Sequence, residues 1–283
     1  MQELNEAKLE EVKLNGETDS VIKEFFLSSS GEKELGALFG QSESELKKEF
    51  GSYKAQKIYR RLNLIIDNRD KLLGEVKSQL KEALKYGFNA VTVFPSVIEL
   101  AKSVLKGAVK VRALINYPYG EELTKTLNYS VKHAVKSGAD ELLITFPTFE
   151  FRSGDVQNIV KNLKKTVFLA KGRRVSVLLD LSILTLPEIE SAISTLLSTG
   201  VYSAVLSYGS GERIVSKAVV EDAVNASVGL IKIECITPLC KAEDAVSLLL
   251  SGAGTVISKN VSEVATDLSG KIEVLGASET LDK

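Results

Sequence analysis

The chain alternates short apolar runs with amphipathic segments along most of its length, and this alternation limits the folds that it can adopt. The apolar runs are rich in β-branched residues, and the segments between them are long enough to form helices. Eight runs are predicted as strands, at residues 62–66, 89–94, 110–117, 142–146, 175–179, 203–207, 230–235 and 254–258. Helices are predicted at residues 97–105, 123–136, 155–171, 186–198, 216–225 and 242–251.

Repeated strand–helix units of this kind favour parallel strands that are joined by right-handed crossovers. Eight units in about 210 residues match the size of a TIM (β/α)₈ barrel. A doubly wound open sheet is disfavoured because no Gly-x-Gly-x-x-Gly motif follows the first strand. We therefore predict an α/β protein with a TIM barrel at residues 61–270, an N-terminal helical extension at 1–60 and a C-terminal tail at 271–283.

Composition and charge exclude several classes of partner. The 283 residues include 36 Lys and Arg against 37 Asp and Glu, which gives a formal net charge of −1. This balance provides no electrostatic reason to expect nucleic acid or an anionic membrane as a partner. No apolar run approaches the roughly 18–20 residues of a membrane span, and the N-terminus lacks a signal-peptide pattern.

The metal- and redox-active residue types are scarce. Two cysteines, Cys235 and Cys240, do not make a disulfide framework, so we expect buried thiols in a reducing, cytoplasmic setting. The only histidine, His133, lies between lysines on a predicted helix and is expected at the surface. Because no second histidine and no matching carboxylate cluster accompany it, we predict neither a metal site nor a cofactor.

Several segments, in the same order along the chain, resemble the deoxyribose-phosphate aldolase family of class I aldolases. Residues 138–147, GADELLITFP, resemble the strand that begins with GADE, and residues 200–209, GVYSAVLSYG, resemble the strand GADFIKTSTG. Segments at 86–96, 110–120 and 175–185 extend the resemblance, which covers roughly residues 67–260. The resemblance implies a TIM barrel, a lyase of deoxyribonucleotide catabolism without a cofactor, and association into homo-oligomers.

The resemblance also assigns the family's catalytic positions. Class I aldol chemistry needs a lysine amine that forms an imine with the substrate, and an acid/base group that moves protons. Val205 stands at the Schiff-base lysine, Leu143 at the catalytic aspartate and Ser176 at a lysine of the fifth strand. We expect Val205 and Leu143 to face an apolar barrel interior. The auxiliary lysine of the seventh strand aligns with Glu234 without a gap, and with Lys232 only after a shift.

Lys232 and Glu234 share one face of their strand, because strand side chains alternate. A lysine within an apolar barrel strand is costly unless it is paired. We therefore predict a structural ion pair between Lys232 and Glu234, and the alternative is a relocated reactive amine or ligand contact. Asp180, after the fifth strand, is expected to stabilise its loop. Tyrosines on the loops after the strands could line a pocket, namely Tyr117, Tyr119 and Tyr208.

The family's phosphate site is also altered. Thr237 and Pro238 replace a glycine pair after the seventh strand, and Pro238 lacks an amide donor. We expect a small phosphorylated ligand to bind weakly near the loops after the sixth and eighth strands. The predicted ligand-binding residues are Ser207, Gly209, Gly211, Ser258, Lys259 and Asn260. The glycine-serine loop at 207–211 can also be a plain turn.

Three functional hypotheses remain open. The leading hypothesis is an aldolase-like protein that is inactive as an aldolase and acts in binding or regulation. The alternative is an active class I lyase that cleaves 2-deoxyribose 5-phosphate to glyceraldehyde 3-phosphate and acetaldehyde with Lys232 as the nucleophile. The third is a scaffold whose charged extension, residues 1–60, docks a protein partner. Such an extension could instead simply cap the barrel.

Overall fold

The protein is described here from a computed structural model, which covers residues 58–67, 69–209 and 213–278. Eight parallel strands close into a barrel in chain order, and β8 pairs with β1. The strands are β1 Leu62–Ile66, β2 Ala90–Val93, β3 Lys110–Ile115, β4 Glu141–Thr145, β5 Arg174–Asp180, β6 Ser203–Ser207, β7 Lys232–Ile236 and β8 Thr255–Ser258. The predicted TIM barrel is therefore confirmed.

Helices surround the barrel. They are α1 Leu73–Tyr86, α2 Ile98–Leu105, α3 Thr124–Lys136, α4 Thr148–Arg152, α5 Val156–Leu169, α6 Leu186–Leu197, α7 Lys217–Ser227, α8 Ala242–Leu250 and α9 Val261–Ser278. The sequence predicted α2, α3 and α5–α8 to within two residues at either end. It did not predict α1, the five-residue α4 or α9, and α9 extends past the predicted barrel boundary at residue 270. None of the described helices is both long and apolar enough to cross a membrane.

Local signals explain where several elements begin and end. At the start of α6, the Glu188 carboxylate accepts hydrogen bonds from the backbone N–H and the hydroxyl of Thr185, both at 2.8 Å. At the start of α5, the Asp155 side chain accepts from the N–H of Asn158. Strand β3 ends at Ile115, two residues before its predicted end, because Asn116 has a φ of 60° and leaves the extended conformation.

The core has two layers, because alternate strand residues point to opposite sides of the barrel wall. The outward-facing residues, such as Val177 and Leu179, belong to the same core cluster as the helix residues Ile159 and Ile193. The inward-facing residues include a separate aliphatic cluster, which we call the interior plug. Its members come from seven of the eight strands and are Ile65, Leu114, Leu143, Leu178, Val205, Ile236 and Ile257.

Candidate functional site at the barrel mouth

The carboxyl ends of the strands form the mouth of the barrel, where TIM-barrel enzymes place their active sites. Val205 and Leu143 are fully buried in the interior plug below this mouth. The expectation that both face an apolar barrel interior is therefore confirmed. In strand register Leu143 lies opposite Leu114, and Val205 lies opposite Leu178. At the two residues that the sequence resemblance aligns with catalytic positions, this barrel thus has aliphatic packing.

Two aromatic rings cover the plug on the mouth side. Phe94, just after β2, and Tyr117, just after β3, pack against the plug with their ring centres 6.1 Å apart. Burial raises the pKa of the Tyr117 phenol, and the nearby carboxylates of Asp67 and Asp180 add to the rise against the opposing effect of Arg69. The phenol is therefore protonated at neutral pH, and its hydroxyl adds a polar group at the edge of an apolar surface.

An ion cluster after β1 occupies part of the mouth. Asp67 accepts from Arg69 through both carboxylate oxygens, at 2.8 and 2.6 Å, and from the Lys259 amine at 3.3 Å. The Arg69 hydrogen bond, assisted by Lys259, holds the pKa of Asp67 well below its usual range despite partial burial. Lys259, which the sequence assigned to an anionic ligand, is therefore paired with a carboxylate of its own chain.

Asp180 and Gly209 connect the loops after β5 and β6. The Asp180 carboxylate accepts from the N–H and the hydroxyl of Ser182, at 2.9 and 2.6 Å. Gly209 has a φ of +61°, and a Cβ at this residue would lie 3.0 Å from the same carboxylate. Asp180 thus stabilises its loop, as predicted, and the nearby Ser207 hydroxyl donates to the carbonyl of Gly209 at 3.4 Å. Gly211 lies outside the described residues.

The groups that could hold a phosphate after β8 bind one another. The Asn260 side-chain oxygen accepts from the Ser258 hydroxyl at 2.7 Å and from the N–H of Cys240 at 3.0 Å. The Asn260 amide donates to the carbonyl of Cys240 at 3.0 Å. The carbonyl of Pro238 accepts from the N–H of Lys259 at 3.3 Å. These internal bonds join the loops after β7 and β8 and occupy donors that an anion would need.

The buried charges lie on the other side of the plug, toward the N-terminal ends of the strands. Arg112 of β3 donates to Glu141 at 2.8 and 3.0 Å and to Glu234 at 2.6 Å. All three side chains are at most 2% exposed. The Ser203 hydroxyl donates to Glu234 at 2.8 Å and can accept from the Ser176 hydroxyl, which lies 2.7 Å away. We call Arg112, Glu141 and Glu234 the buried triad.

The predicted ion pair between Lys232 and Glu234 is wrong, because Glu234 pairs with Arg112. Lys232 is the first residue of β7 and is exposed, so its flexible chain reaches outward, and its amine lies 5.3 Å from the ring centre of Tyr202. It is therefore at the N-terminal end of the barrel, opposite the mouth. The sequence analysis missed Arg112, for which the only signal was a cationic residue within an apolar strand.

The triad tolerates burial because its charges are paired. Burial lowers the pKa of Arg112, but Glu234 and Glu141 outweigh this effect and raise it above its usual value. Burial likewise raises the pKa of Glu141, but Arg112 and then Lys110 outweigh it, so the net shift is downward. Lys110 and Arg174 approach Glu141 from the rim at 3.2 and 3.6 Å. These two cations lie beside the glutamate that gives the triad its excess negative charge.

We expect Glu141 to make stability sensitive to acid. Its folded-state pKa is lowered, so its ionised form contributes stability that is fully present above the unfolded pKa of about 4.3 and is lost as pH falls through the folded value. Urea unfolding at several pH values should give a weaker loss of stability below that pH for Glu141→Gln than for the wild type. Exposed Glu190→Gln is the control. Equal slopes for wild type and Glu141→Gln would contradict the prediction.

The remaining residues of chemical interest are the two cysteines and the histidine. Cys235 and Cys240 are free and buried, as predicted, and burial raises the pKa of Cys240 to about 12. His133 lies on the exposed side of α3, with its ring 6.1 Å from that of Tyr129. Across residues 58–67, 69–209 and 213–278 there is no group of three or more His, Cys, Asp and Glu side chains that could hold a metal ion.

Comparison with known proteins gives the relatives of this barrel. The chain matches no family model. It is 29% identical over 190 residues to a deoxyribose-phosphate aldolase of Acholeplasma laidlawii, a match that covers 64% of this chain and 82% of the relative. It is 27% identical over 213 residues to the deoxyribose-phosphate aldolase of Mycoplasma pneumoniae, a match that covers 73% and 94%.

Solved structures share the fold. A putative deoxyribose-phosphate aldolase from Coccidioides immitis superposes with a TM-score of 0.72 at 18% identity, covering 81% of this chain and 99% of that one. The deoxyribose phosphate aldolase of Aeropyrum pernix, described as having a unique tetrameric structure, gives a TM-score of 0.69 at 16% identity and covers 83% and 100%. These matches show the same fold, and the sequence relatives show a similar sequence over most of the barrel. The chain is thus similar in sequence to deoxyribose-phosphate aldolases and shares the fold of their solved structures.

Proposed function

We propose that this protein is a member of the family that does not cleave 2-deoxyribose 5-phosphate and that acts through binding. The observation that carries the proposal is the interior plug, which contains Val205 and Leu143. The resemblance aligns these two residues with the amine and the acid/base group that the chemistry needs. Covalent catalysis through an imine is not available to a side chain without a nucleophile. Removing the acid/base group alone costs about 10²–10⁴-fold in rate.

The positions of the lysines support the same proposal. Only Lys110 and Lys232 among the lysines belong to the eight strands, and both begin their strands, away from the mouth. Lys259 is at the mouth, but its amine is paired with Asp67. A protonated, ion-paired amine is a poor nucleophile, because imine formation requires the neutral form. Thus the lysines on the barrel wall and the one after β8 lack the surroundings that activate an amine.

The ligand and the partners are part of the proposal. Because Ser258, Asn260 and Cys240 form hydrogen bonds with one another, a simple phosphate ester should bind weakly at the loops after β7 and β8.

We also propose self-association, as in the tetrameric relative from Aeropyrum pernix. We propose a cytoplasmic location, which suits two free buried thiols. The extension at residues 1–60, described only from residue 58, remains a candidate docking segment for another protein.

Reductive trapping tests the loss of chemistry. The protein is incubated with 2-deoxyribose 5-phosphate and borohydride, which reduces an imine to a stable secondary amine, and the mass of the whole chain is measured. We expect no added mass, while the Mycoplasma pneumoniae relative, treated in parallel, serves as the positive control. We also expect no turnover in the usual enzyme range of roughly 1–10³ s⁻¹.

The Lys232→Arg variant separates the proposal from an active lyase. Arginine keeps the positive charge beside Tyr202 but cannot form an imine. The variant therefore removes a possible nucleophile and leaves the surface charge unchanged. An adduct that forms on the wild type and is lost in Lys232→Arg would contradict the proposal and support the active lyase. An adduct that persists in the variant would also contradict it, and peptide mapping would then identify another lysine.

A further inference from the structure

A cavity opens at the N-terminal end of the barrel, on the side opposite the mouth. It lies between the turns that precede β3, β4 and β5, and its volume is about 490 Å³. Small-molecule sites usually have volumes of roughly 300–1,000 Å³. Among the described residues, the lining consists of two glycines and six charged side chains, which are Lys110, Lys171, Arg173, Arg174, Asp140 and Glu141. We call this cavity the basic pocket.

The two carboxylates of the basic pocket are already paired with cations that do not line it. Asp140 accepts from the Lys102 amine through both of its oxygens, at 2.8 and 2.9 Å. Glu141 accepts two hydrogen bonds from the buried guanidinium of Arg112. These two acidic groups therefore cancel little of the positive charge on the cations that line the pocket.

Lys110 and Arg174 stand on the rim of the pocket. Their charged nitrogens lie 3.2 and 3.6 Å from the same oxygen of Glu141, so one anionic group beside that oxygen can contact both. The buried triad has one arginine and two glutamates, and it therefore compensates only one of these two rim charges. Both side chains are more than two-fifths exposed, at 42% and 47%, and they can turn toward a ligand.

The other two cations have no carboxylate partner in the part of the chain that the structure describes. Arg173 donates to the backbone carbonyl of Ala139 at 2.6 Å, and to those of Ala170 and Val135 at 3.5 Å. These bonds fix the guanidinium in place and leave two of its five N–H groups for a ligand. Two of the carbonyls are at helix ends, where they carry only partial negative charge. Arg173 and Lys171 thus give the pocket uncompensated positive charge.

We infer that the basic pocket binds a compact phosphate anion that carries several negative charges. Guanidinium and ammonium groups make short, charge-assisted hydrogen bonds to phosphate oxygens, and the fork of an arginine can contact two oxygens at once. The described lining has no apolar or aromatic side chain that could bury a nucleotide base or an acyl chain. The ligand is therefore small and hydrophilic, and inorganic pyrophosphate has the size and the charge to serve as its probe.

The basic pocket is separate from the region where the family places its chemistry. The interior plug and the buried triad lie between the pocket and the mouth. The inference therefore does not rest on the loss of aldolase activity, and the two proposals can fail independently. Reductive trapping measures imine formation on a lysine, whereas the experiment below measures reversible binding at the N-terminal end.

Isothermal titration calorimetry of the full chain with inorganic pyrophosphate, at neutral pH and low ionic strength, tests the inference. We expect saturable binding of one anion per chain. Lys171→Gln and Arg174→Gln should each weaken binding at least about tenfold, because each removes a charge-assisted contact. Inorganic phosphate should bind more weakly than pyrophosphate, because it carries less charge. Sulfate at the same ionic strength should not displace pyrophosphate.

Matched controls distinguish the pocket from a general effect of charge. Lys125→Gln on α3 and Lys164→Gln on α5 remove exposed lysines that do not line the pocket, and the double control should keep the wild-type affinity. Circular dichroism and thermal unfolding establish that every variant is folded. A wild type without saturable pyrophosphate binding overturns the inference. Equal affinity in the Lys171→Gln and Arg174→Gln double variant, an equal loss in the double control, or displacement by sulfate or phosphate as effective as by pyrophosphate also overturns it.

Discussion

Replacing Arg112 with methionine is expected to lower the free energy of unfolding by about 3–5 kcal/mol, the cost of removing one partner from a buried ion pair. The arginine is 2% exposed and holds both Glu141 and Glu234. Methionine fills a similar volume but leaves two carboxylates in the barrel interior, with only the rim cations near Glu141. Urea unfolding measures the change, and a loss below about 1 kcal/mol would contradict the role assigned to Arg112.

Two further variants separate charge pairing from packing. The triple variant Arg112→Met, Glu141→Leu and Glu234→Met removes the whole triad, and we expect it to recover most of the stability that Arg112→Met loses. Arg174→Met removes a 47% exposed rim cation 3.6 Å from Glu141, and should cost less than about 1 kcal/mol. If the triple variant is less stable than Arg112→Met, the triad stabilises the fold by more than the mutual neutralisation of its three charges.

Placing an amine at residue 205 by Val205→Lys is expected to destabilise the protein strongly without producing aldolase turnover in the usual enzyme range. The new side chain would enter the interior plug, where Leu178 and Ile236 surround it, and its register neighbour Glu234 is already held by Arg112. A fully buried lysine loses about 3–5 pKa units, each worth about 1.4 kcal/mol. We therefore expect a loss of about 4–7 kcal/mol, and turnover should stay about 10²–10⁴-fold below the usual enzyme range because Leu143 cannot exchange protons.

The pH dependence of Val205→Lys distinguishes desolvation from overpacking. The unfolded lysine binds a proton up to a pKa of about 10.4, whereas the folded one releases it at a lower pH, so stability should rise with pH between the two values. Val205→Met adds a similar length without a charge and should cost about 1–3 kcal/mol independently of pH. Matching pH profiles for the two variants would refute the desolvation argument, and turnover of Val205→Lys in the usual enzyme range would contradict the role assigned to Leu143.

The sequence alone determined most of the fold. Strand limits such as Leu62–Ile66 and Ser203–Ser207 match the prediction, because short β-branched runs between amphipathic segments are a local pattern. Val205 and Leu143 could also be singled out from the sequence, because each lies inside a segment that resembles the family. Local patterns predicted the end of β3 less well, because Asn116 adopts a left-handed conformation and ends the strand before its apolar run ends.

Only the tertiary structure determined how distant side chains combine. Arg112 and Glu234 are 122 positions apart, and closure of the barrel brings their side chains to 2.6 Å. The sequence predicted Lys232 as the partner of Glu234 because the two are near in the chain, but the first residue of a strand lies at the rim, where a lysine can remain hydrated. Local periodicity therefore determined the barrel, and barrel closure decided which charges pair.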